Sequence, residues 1–318
     1  MQFGFVMPGP VCETMLTQSF ECGVTGADQM VMARRAEEIG YDMIFLPEHF
    51  SVPQTHTALM GSPDRQLALE FQCALEQAYF AGATSSIRVN AGASLLAPRH
   101  AAAMATMLAA LDWMSNGRIT VTFGVGWDPE EFEVLGVPLH ERGRSADEYL
   151  AAVVELSTRY SSHINGSPHI NGERVPGEDV ALGPSPPQRA QLPIWIGGDA
   201  EPALRRAARY ADGWFPWLTR PDDIPAKLDF IKSQPTYDGR RIDVFYGLDS
   251  PRVGDEHGGV DDPAHLLGMT AAEMVDRLGR FAQLGVTMTA PPIPPVKNAN
   301  AYLDYAQWMI EDIKPKVG

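Results

Sequence analysis

The stretch VTFGVGWDPEEFEVLG, residues 121–136, begins as an apolar strand, passes through two glycines and ends as an acidic helix. The same order of strand, turn and amphipathic helix recurs along the chain, which predicts a parallel sheet covered by helices. Because eight such strands are predicted, we expect an α/β fold in which all 318 residues form one (β/α)8 TIM barrel domain. The predicted strands are residues 2–7, 43–46, 87–96, 119–125, 193–196, 213–217, 242–248 and 285–290.

An open, doubly wound sheet is the alternative arrangement. It would favour fewer strands and a glycine-rich turn directly after the first strand, where this chain has MPGPV. The predicted barrel carries insertions, since residues 157–192 look like an excursion between the fourth and fifth strands. Long loops also follow strands at residues 11–25, 51–66 and 249–268. In a barrel these loops share the C-terminal face, where ligands bind.

Glycine and asparagine delimit two of the predicted helices. The first helix covers residues 27–39 and ends at Gly40, and a crossover helix opens with Pro98 and ends at Asn116-Gly117. Farther along, the segment from Ser145 to Glu148 reads as a capping box rather than as chemistry.

The charge balance indicates which classes of macromolecule the protein can bind. Forty acidic and 25 basic side chains give a formal charge of -15, which disfavours nucleic acid. The N-terminus lacks a basic region, and no run approaches ~18 apolar residues, so we expect neither a signal peptide nor a membrane span and place the protein in the cytoplasm. Three cysteines predict free thiols, and eight scattered histidines predict no metal site.

Two glycine-rich turns are candidate ligand contacts. Gly124 and Gly126 end the fourth strand, where missing side chains let a flat ligand approach, with Trp127 beside it. The alternative is that the glycines only make the turn and that the tryptophan plugs the barrel mouth. After the fifth strand, the amides of Gly197, Gly198 and the following residues point towards the ligand face and can hold a phosphate. Here the alternative is a plain helix start, with Asp199 as cap and Glu201 as first-turn acid.

Two further strand ends carry candidate residues. FLPEHFSVP puts Glu48 and His49 just past the second strand, where a histidine can contact a cofactor or move a proton. The alternative is a hydrogen-bonded structural histidine, and Glu48 either orients it or competes as the acid. NAGASLLAP ends the third strand with small residues that suit a bulge or the close packing of a helix.

These stretches, together with ALDWMSNGR before the fourth strand and ERGRSADEYL after it, resemble the bacterial luciferase-like superfamily over about residues 1–217. Within it they are most similar to the deazaflavin-dependent oxidoreductases that use coenzyme F420. The resemblance implies a (β/α)8 barrel with the cofactor ring in its mouth. By motif it implies that His49 faces the ring, that a non-prolyl cis peptide joins Ser94 and Leu95, and that the cofactor is held by residues 124–127 and by Gly197, Gly198 and Asp199.

The function implied is hydride transfer between F420 and a small organic substrate, in a homodimer. His49 is the candidate proton donor or acceptor, with Glu48 and Asp128 as competing acids. Sugar phosphates are disfavoured as substrates, since Trp127 and Pro53 stand where members that act on them have an acidic and an aromatic residue. A reduced-FMN monooxygenase of the same fold is the first alternative, and a non-catalytic barrel is the second.

Overall fold

The computed structural model describes residues 1–8, 20, 23–46, 48, 73–96, 100–158, 169–170, 173–174, 187–188, 192–247, 270–291 and 296–317. Eight parallel strands close into one barrel. They are β1 (Gln2–Val6), β2 (Met43–Leu46), β3 (Arg88–Leu95), β4 (Ile119–Gly124), β7 (Ile194–Gly197), β8 (Gly213–Phe215), β9 (Asp243–Gly247) and β10 (Met288–Ala290). Two short strands, β5 (His169–Ile170) and β6 (Glu173–Arg174), pair antiparallel in the segment predicted as an excursion.

The barrel order is β1-β10-β9-β8-β7-β4-β3-β2, and the first strand pairs with the last through Gln2 and Met288. This closure confirms the predicted (β/α)8 barrel and rules out the open sheet. The helices are α1 (Gly26–Ile39), α2 (Cys73–Ala83), α3 (Ala101–Ser115), α4 (Pro129–Val134), α5 (Arg142–Thr158), α6 (Glu201–Tyr210), α7 (Ile224–Ser233), α8 (Ala271–Gln283) and α9 (Ala299–Trp308). No helix in the described ranges is long and apolar enough to cross a membrane. The same residues contain no group of three His, Cys, Asp or Glu placed to hold a metal ion.

The predicted helix ends are confirmed at two positions. Helix α1 ends at Gly40, which adopts a left-handed φ of 104°, and α3 ends at Asn116 with φ 59°. Two other boundaries were predicted wrongly. Strand β10 begins at Met288 rather than Gly285, because Gly285 has φ 98° and turns the chain after α8. Ser145 is not a helix cap, because α5 already begins at Arg142.

Side chains on the barrel strands alternate between two cores. Outward residues such as Phe5, Val121 and Ile196 pack against the helices in the larger core. Inward residues form a smaller cluster of Met43, Phe45, Trp195, Phe245 and Met288.

Three of these inward rings, Phe45, Trp195 and Phe245, fill the middle of the barrel, and we call them the aromatic plug. Phe45 and Phe245 stack with centroids 3.9 Å apart, and Trp195 lies 6.1 Å from Phe45. Two glycines on neighbouring strands make room for the rings. A Cβ on Gly4 would come within 2.5 Å of Phe45, and one on Gly213 within 2.4 Å of Trp195.

The C-terminal end of the chain secures the first strand. The Asp42 carboxylate accepts hydrogen bonds from the Phe3 amide and from Lys314 Nζ, each at 2.7 Å. The Tyr302 hydroxyl donates to the Val6 carbonyl at 2.9 Å. Residues at the two ends of the chain therefore hold the barrel closed together.

Candidate functional site

Small residues line the opening of the barrel at the carboxyl ends of five strands, whereas β8 ends there in the larger, partly exposed Phe215. Along β4, β7, β9 and β10 the inward side chain two positions before the end is buried, whereas the last inward residue is partly exposed. Ala93 on β3 is partly exposed in the same way. We call these five positions the small-residue rim: Ala93, Gly124, Gly197, Gly247 and Ala290.

The rim is flat where β3, β4 and β7 meet. A Cβ on Gly124 would lie 3.1 Å from the Ala93 Cβ, and one on Gly197 would lie 3.8 Å from it. On the β9 side, a Cβ on Gly247 would meet no described atom within 4 Å. The aromatic plug lies below this opening, and Phe215 packs on its Phe245 ring with centroids 4.8 Å apart.

A bulge in β3 brings Ala93 to this opening. The pairing of β3 with β4 shifts register between Gly92 and Ser94, so this stretch forms the bulge, one of the two alternatives that the sequence left open. The cis peptide bond joins Gly92 to Ala93 rather than Ser94 to Leu95. The predicted position was wrong by two residues. Ser94 and Leu95 pair regularly with Phe123 and Gly124, so the irregular part of β3 lies before them.

Glu48 lies just past β2 and is 3% exposed. One of its oxygens accepts from the Cys73 amide at 3.1 Å. The other accepts from Ser94 Oγ at 2.7 Å and from the Leu95 amide at 3.3 Å. The carboxylate thus joins the end of β2, the bulge of β3 and the start of α2. Ser94 and Leu95 are both buried, and Leu95 pairs in register with the rim residue Gly124.

The predicted site residues in the turn after β4 have different structural roles. Gly126 has φ 74°, and a Cβ on it would come within 2.6 Å of the Phe132 ring, so protein atoms fill that gap. Trp127 is 57% exposed and therefore does not plug the mouth. Asp128 is buried and caps α4, accepting from the Glu130 amide at 2.9 Å. This capping geometry does not support Asp128 as a competing acid.

The start of α6 also differs from the prediction. The N-cap is Ala200, and Asp199 turns instead to the loop after β8. Its carboxylate accepts from the amides of Trp217, Leu218 and Thr219 and from the Thr219 hydroxyl. Since this side chain is fully engaged with the loop, Asp199 is not the predicted cap.

Only some backbone N–H groups in the turn between β7 and α6 are available to bind a ligand. The Gly198 N–H donates to the Phe215 carbonyl at 3.0 Å, so it is not a donor for a ligand. The N–H groups of Asp199, Ala200 and Glu201 donate to no described atom. Of the amides predicted to hold a phosphate, those of the residues that follow Gly198 therefore have no described acceptor. Lys227 Nζ lies 2.7 Å from the Asp199 carbonyl and brings a positive charge to this turn.

His49 and Pro53 lie outside the described residues, as do Cys12, Cys22 and most of the three long loops. Cys73 is buried, and its thiol donates to the Leu46 carbonyl at 3.4 Å. Sequence reasoning missed Ala93, Gly247 and Ala290 as site residues. The signal for the last two was available, because each is a small inward residue at the end of a predicted strand.

The sequence model of the luciferase-like monooxygenase family matches residues 1–249. The chain belongs to this family. Luciferase-like proteins are oxidoreductases and monooxygenases, and the small-residue rim lies on the barrel face where such folds bind their ligands. The predicted luciferase-like resemblance is therefore confirmed.

Several known proteins are similar to the chain over most of its length. The uncharacterized protein Rv0953c of Mycobacterium tuberculosis H37Rv is 26% identical over 299 residues, covering 89% of this chain and 92% of that protein. The coenzyme F420-dependent tetrahydromethanopterin reductase of Methanopyrus kandleri has a TM-score of 0.67 at 17% identity, covering 100% and 99% of the two chains. The FMN-bound oxygenating constituent of 3,6-diketocamphane monooxygenase of Pseudomonas putida has a TM-score of 0.67 at 14% identity, covering 100% and 99%. These two structures share the fold of the chain.

Proposed function

We propose that this luciferase-like chain transfers a hydride between coenzyme F420 and a small organic substrate. The observation that carries the proposal is the small-residue rim above the aromatic plug. Three glycines and two alanines at one opening leave room for a planar ring to lie against the backbone, as large side chains would not.

The residues present suit such a cofactor at two places. Ala93, Gly124 and Gly197 form a flat wall for the ring, and Gly247 faces open space among the described atoms. The amides of residues 199–201, at the positive end of α6, suit an anionic tail. When bound, the deazaflavin supplies the hydride chemistry, while the chain contributes position and electrostatics.

The resemblance of residues 1–217 to deazaflavin-dependent oxidoreductases supports F420 over FMN. The FMN alternative is a monooxygenase, and it is supported by the family name and by the FMN-bound neighbour. Titration of the purified protein with F420, FMN and reduced FMN, followed by absorption and fluorescence, tests the choice. We expect saturable binding of F420 with a shifted absorption band. Tight binding of FMN alone would establish the monooxygenase instead, and binding of neither would favour the non-catalytic barrel.

His49 is our proposed proton donor or acceptor, on the basis of the motif LPEHF. Changing His49→Ala should lower kcat by about 10²–10⁴, the range for general acid–base groups, with little change in F420 affinity. Turnover is followed as F420 oxidation or reduction with a panel of small alcohols and carbonyl compounds. The control is His140→Ala, because the His140 side chain is 83% exposed. Full turnover by the His49 variant would remove this role.

We also propose that the protein is a homodimer. Large apolar side chains are exposed on three consecutive helices: Val31 on α1, Leu75 and Tyr79 on α2, and Trp113 and Met114 on α3. Light scattering after size-exclusion chromatography measures the mass directly. A cytoplasmic location stays a prediction from the sequence.

A further inference from the structure

A buried carboxylate joins three elements at the edge of the proposed cofactor site. Among its hydrogen bonds, Glu48 accepts three from the described residues Cys73, Ser94 and Leu95. Cys73 also approaches the end of β2 directly, with its Sγ 3.4 Å from the Leu46 carbonyl. Two of the donors to Glu48 are backbone amides, so they fix the course of the chain and not only the side chains.

The hydrogen bonds to Glu48 lie next to the rim and fix the position of Ala93. Ser94 and Leu95 directly follow Ala93 on the bulge of β3, and Ala93 is the rim residue nearest to Gly124 and Gly197. The carboxylate thus holds the bulge through the two residues that follow Ala93. Because a Cβ on Gly124 would already lie 3.1 Å from Ala93, a small movement of the bulge changes the width of the flat wall.

We propose that Glu48 is a positioning residue for the cofactor: its carboxylate holds the β3 bulge so that Ala93 forms the wall against which the ring lies. It acts through Ala93 and not on the reacting atoms. This inference rests on the proposed function. Loss of the carboxylate leaves two amides and a hydroxyl without their acceptor in a buried place, so the bulge has to move or admit water.

The chain offers a matched control in Glu37. This carboxylate on α1 accepts from the amides of Ser85, Ser86 and Ile87, just before β3 begins. It therefore makes the same kind of clamp at the opposite end of the same strand, far from the rim. A general loss of β3 stability affects both variants, whereas a change in the ring wall affects only the Glu48 variant.

The experiment compares wild type, Glu48→Gln, Ser94→Ala and Glu37→Gln. Hydrogen exchange of the cofactor-free proteins is measured first. Glutamine has one acceptor oxygen where the carboxylate has two, so Glu48→Gln should speed exchange of the Cys73 or the Leu95 amide at least about tenfold, as expected for a lost hydrogen bond to a charged group, while exchange in β4 stays unchanged. Ser94→Ala should give a smaller increase, since one of the three bonds is lost. Unchanged exchange in the Glu48 variant would overturn the inference.

Cofactor binding is then measured by titration. Glu48→Gln should bind F420 about tenfold more weakly, and its absorption band at saturation should differ from that of wild type, whereas Glu37→Gln keeps both within twofold. If wild type binds neither F420 nor FMN, the proposed function fails and the inference about the ring fails with it. If wild type binds and Glu48→Gln matches it in affinity and spectrum, only the inference about Glu48 fails.

Discussion

Gly247 contributes to the site by having no side chain. It is partly exposed at the end of β9, and a Cβ there would meet no described atom within 4 Å. Its inward neighbour two positions earlier is Phe245 of the aromatic plug. A larger residue at 247 would therefore stand in the opening instead of in the core.

The change Gly247→Leu tests this directly. We expect F420 affinity to fall at least about tenfold, because the added side chain occupies the place of the ring, while the melting temperature of the free protein changes by only about 2 °C. Fluorescence titration and thermal unfolding measure the two quantities.

Gly279→Leu is the control for that change. A Cβ on Gly279 also meets no described atom within 4 Å, but this residue lies on α8, outside the barrel. We expect its F420 affinity to equal that of wild type. Equal affinity in the Gly247 variant would instead contradict the placement of the ring.

At the residue scale, the sequence predicted the rim in part. Gly124 and Gly197 stand out as members of glycine pairs, but Gly126 has the same appearance and is covered by Phe132. Nothing local separates a glycine required for a turn from one that leaves room for a ligand. Ala93 was missed because a bulge has to place it, and the bond between Glu48 and Ser94 spans 46 residues.

At the scale of elements, Glu37 attaches the last turn of α1 to the start of β3. Burial alone would raise the pKa of this carboxyl, but the amides of Ile87, Ser86 and Ser85 outweigh burial and lower the pKa to about 2. A lowered pKa in the folded state means that the charged form stabilises the fold. This stabilisation is present above the ordinary value of 4.5 and is lost as the pH falls towards 2.

The change Glu37→Gln should remove this pH dependence. Near pH 6 the variant should be less stable than wild type by about 1–2 kcal/mol, a value reduced for solvent screening. The difference should shrink as the pH falls from 4.5 to 2, because wild type then also loses the charge. Urea unfolding at a series of pH values measures it.

Glu38→Gln serves as the comparison, since its side chain is 64% exposed and pairs only with Arg35 at 3.2 Å among the described residues. We expect a stability close to that of wild type at every pH. A gap between wild type and Glu37→Gln that stayed constant down to pH 2 would refute the role of the Glu37 charge.

Helices and strands were predictable where the hydrophobic periodicity and the residues that end an element, such as glycine, indicate the same boundary. β2 has the predicted bounds, and α1 ends at the predicted glycine. Errors arose where a side chain that could bond within its own element bonds instead to a residue far along the chain. Asp199 has the residue type of a helix cap, yet the loop after β8 offers it three amides. Such a choice depends on tertiary structure, which local sequence does not contain.

At the scale of the whole molecule, the chain ends by packing on its own beginning. Met309 and Ile313 follow α9 and are fully buried, and Lys314 reaches Asp42 beside β1. Barrel closure therefore depends on residues that lie beyond the last strand. The periodicity of single strands indicates the barrel, but it does not reveal this dependence.

The change Met309→Ala should lower the free energy of unfolding by about 2–5 kcal/mol, the range for truncating a buried methionine. Urea unfolding followed by circular dichroism measures it. Met114→Ala, at a side chain 61% exposed on α3, should change it by less than about 0.5 kcal/mol. Equal effects of the two changes would show that the C-terminal segment does not share the barrel core.

The aromatic plug affects the order in which coenzyme and substrate bind and leave. With Phe45 stacked on Phe245 and Trp195 beside them, side chains fill the middle of the barrel. In the described part of the chain, a ligand bound above the plug therefore meets solvent at the carboxyl ends of the strands. A coenzyme lying deepest would have to enter before its substrate, and the product would have to leave before the coenzyme is exchanged.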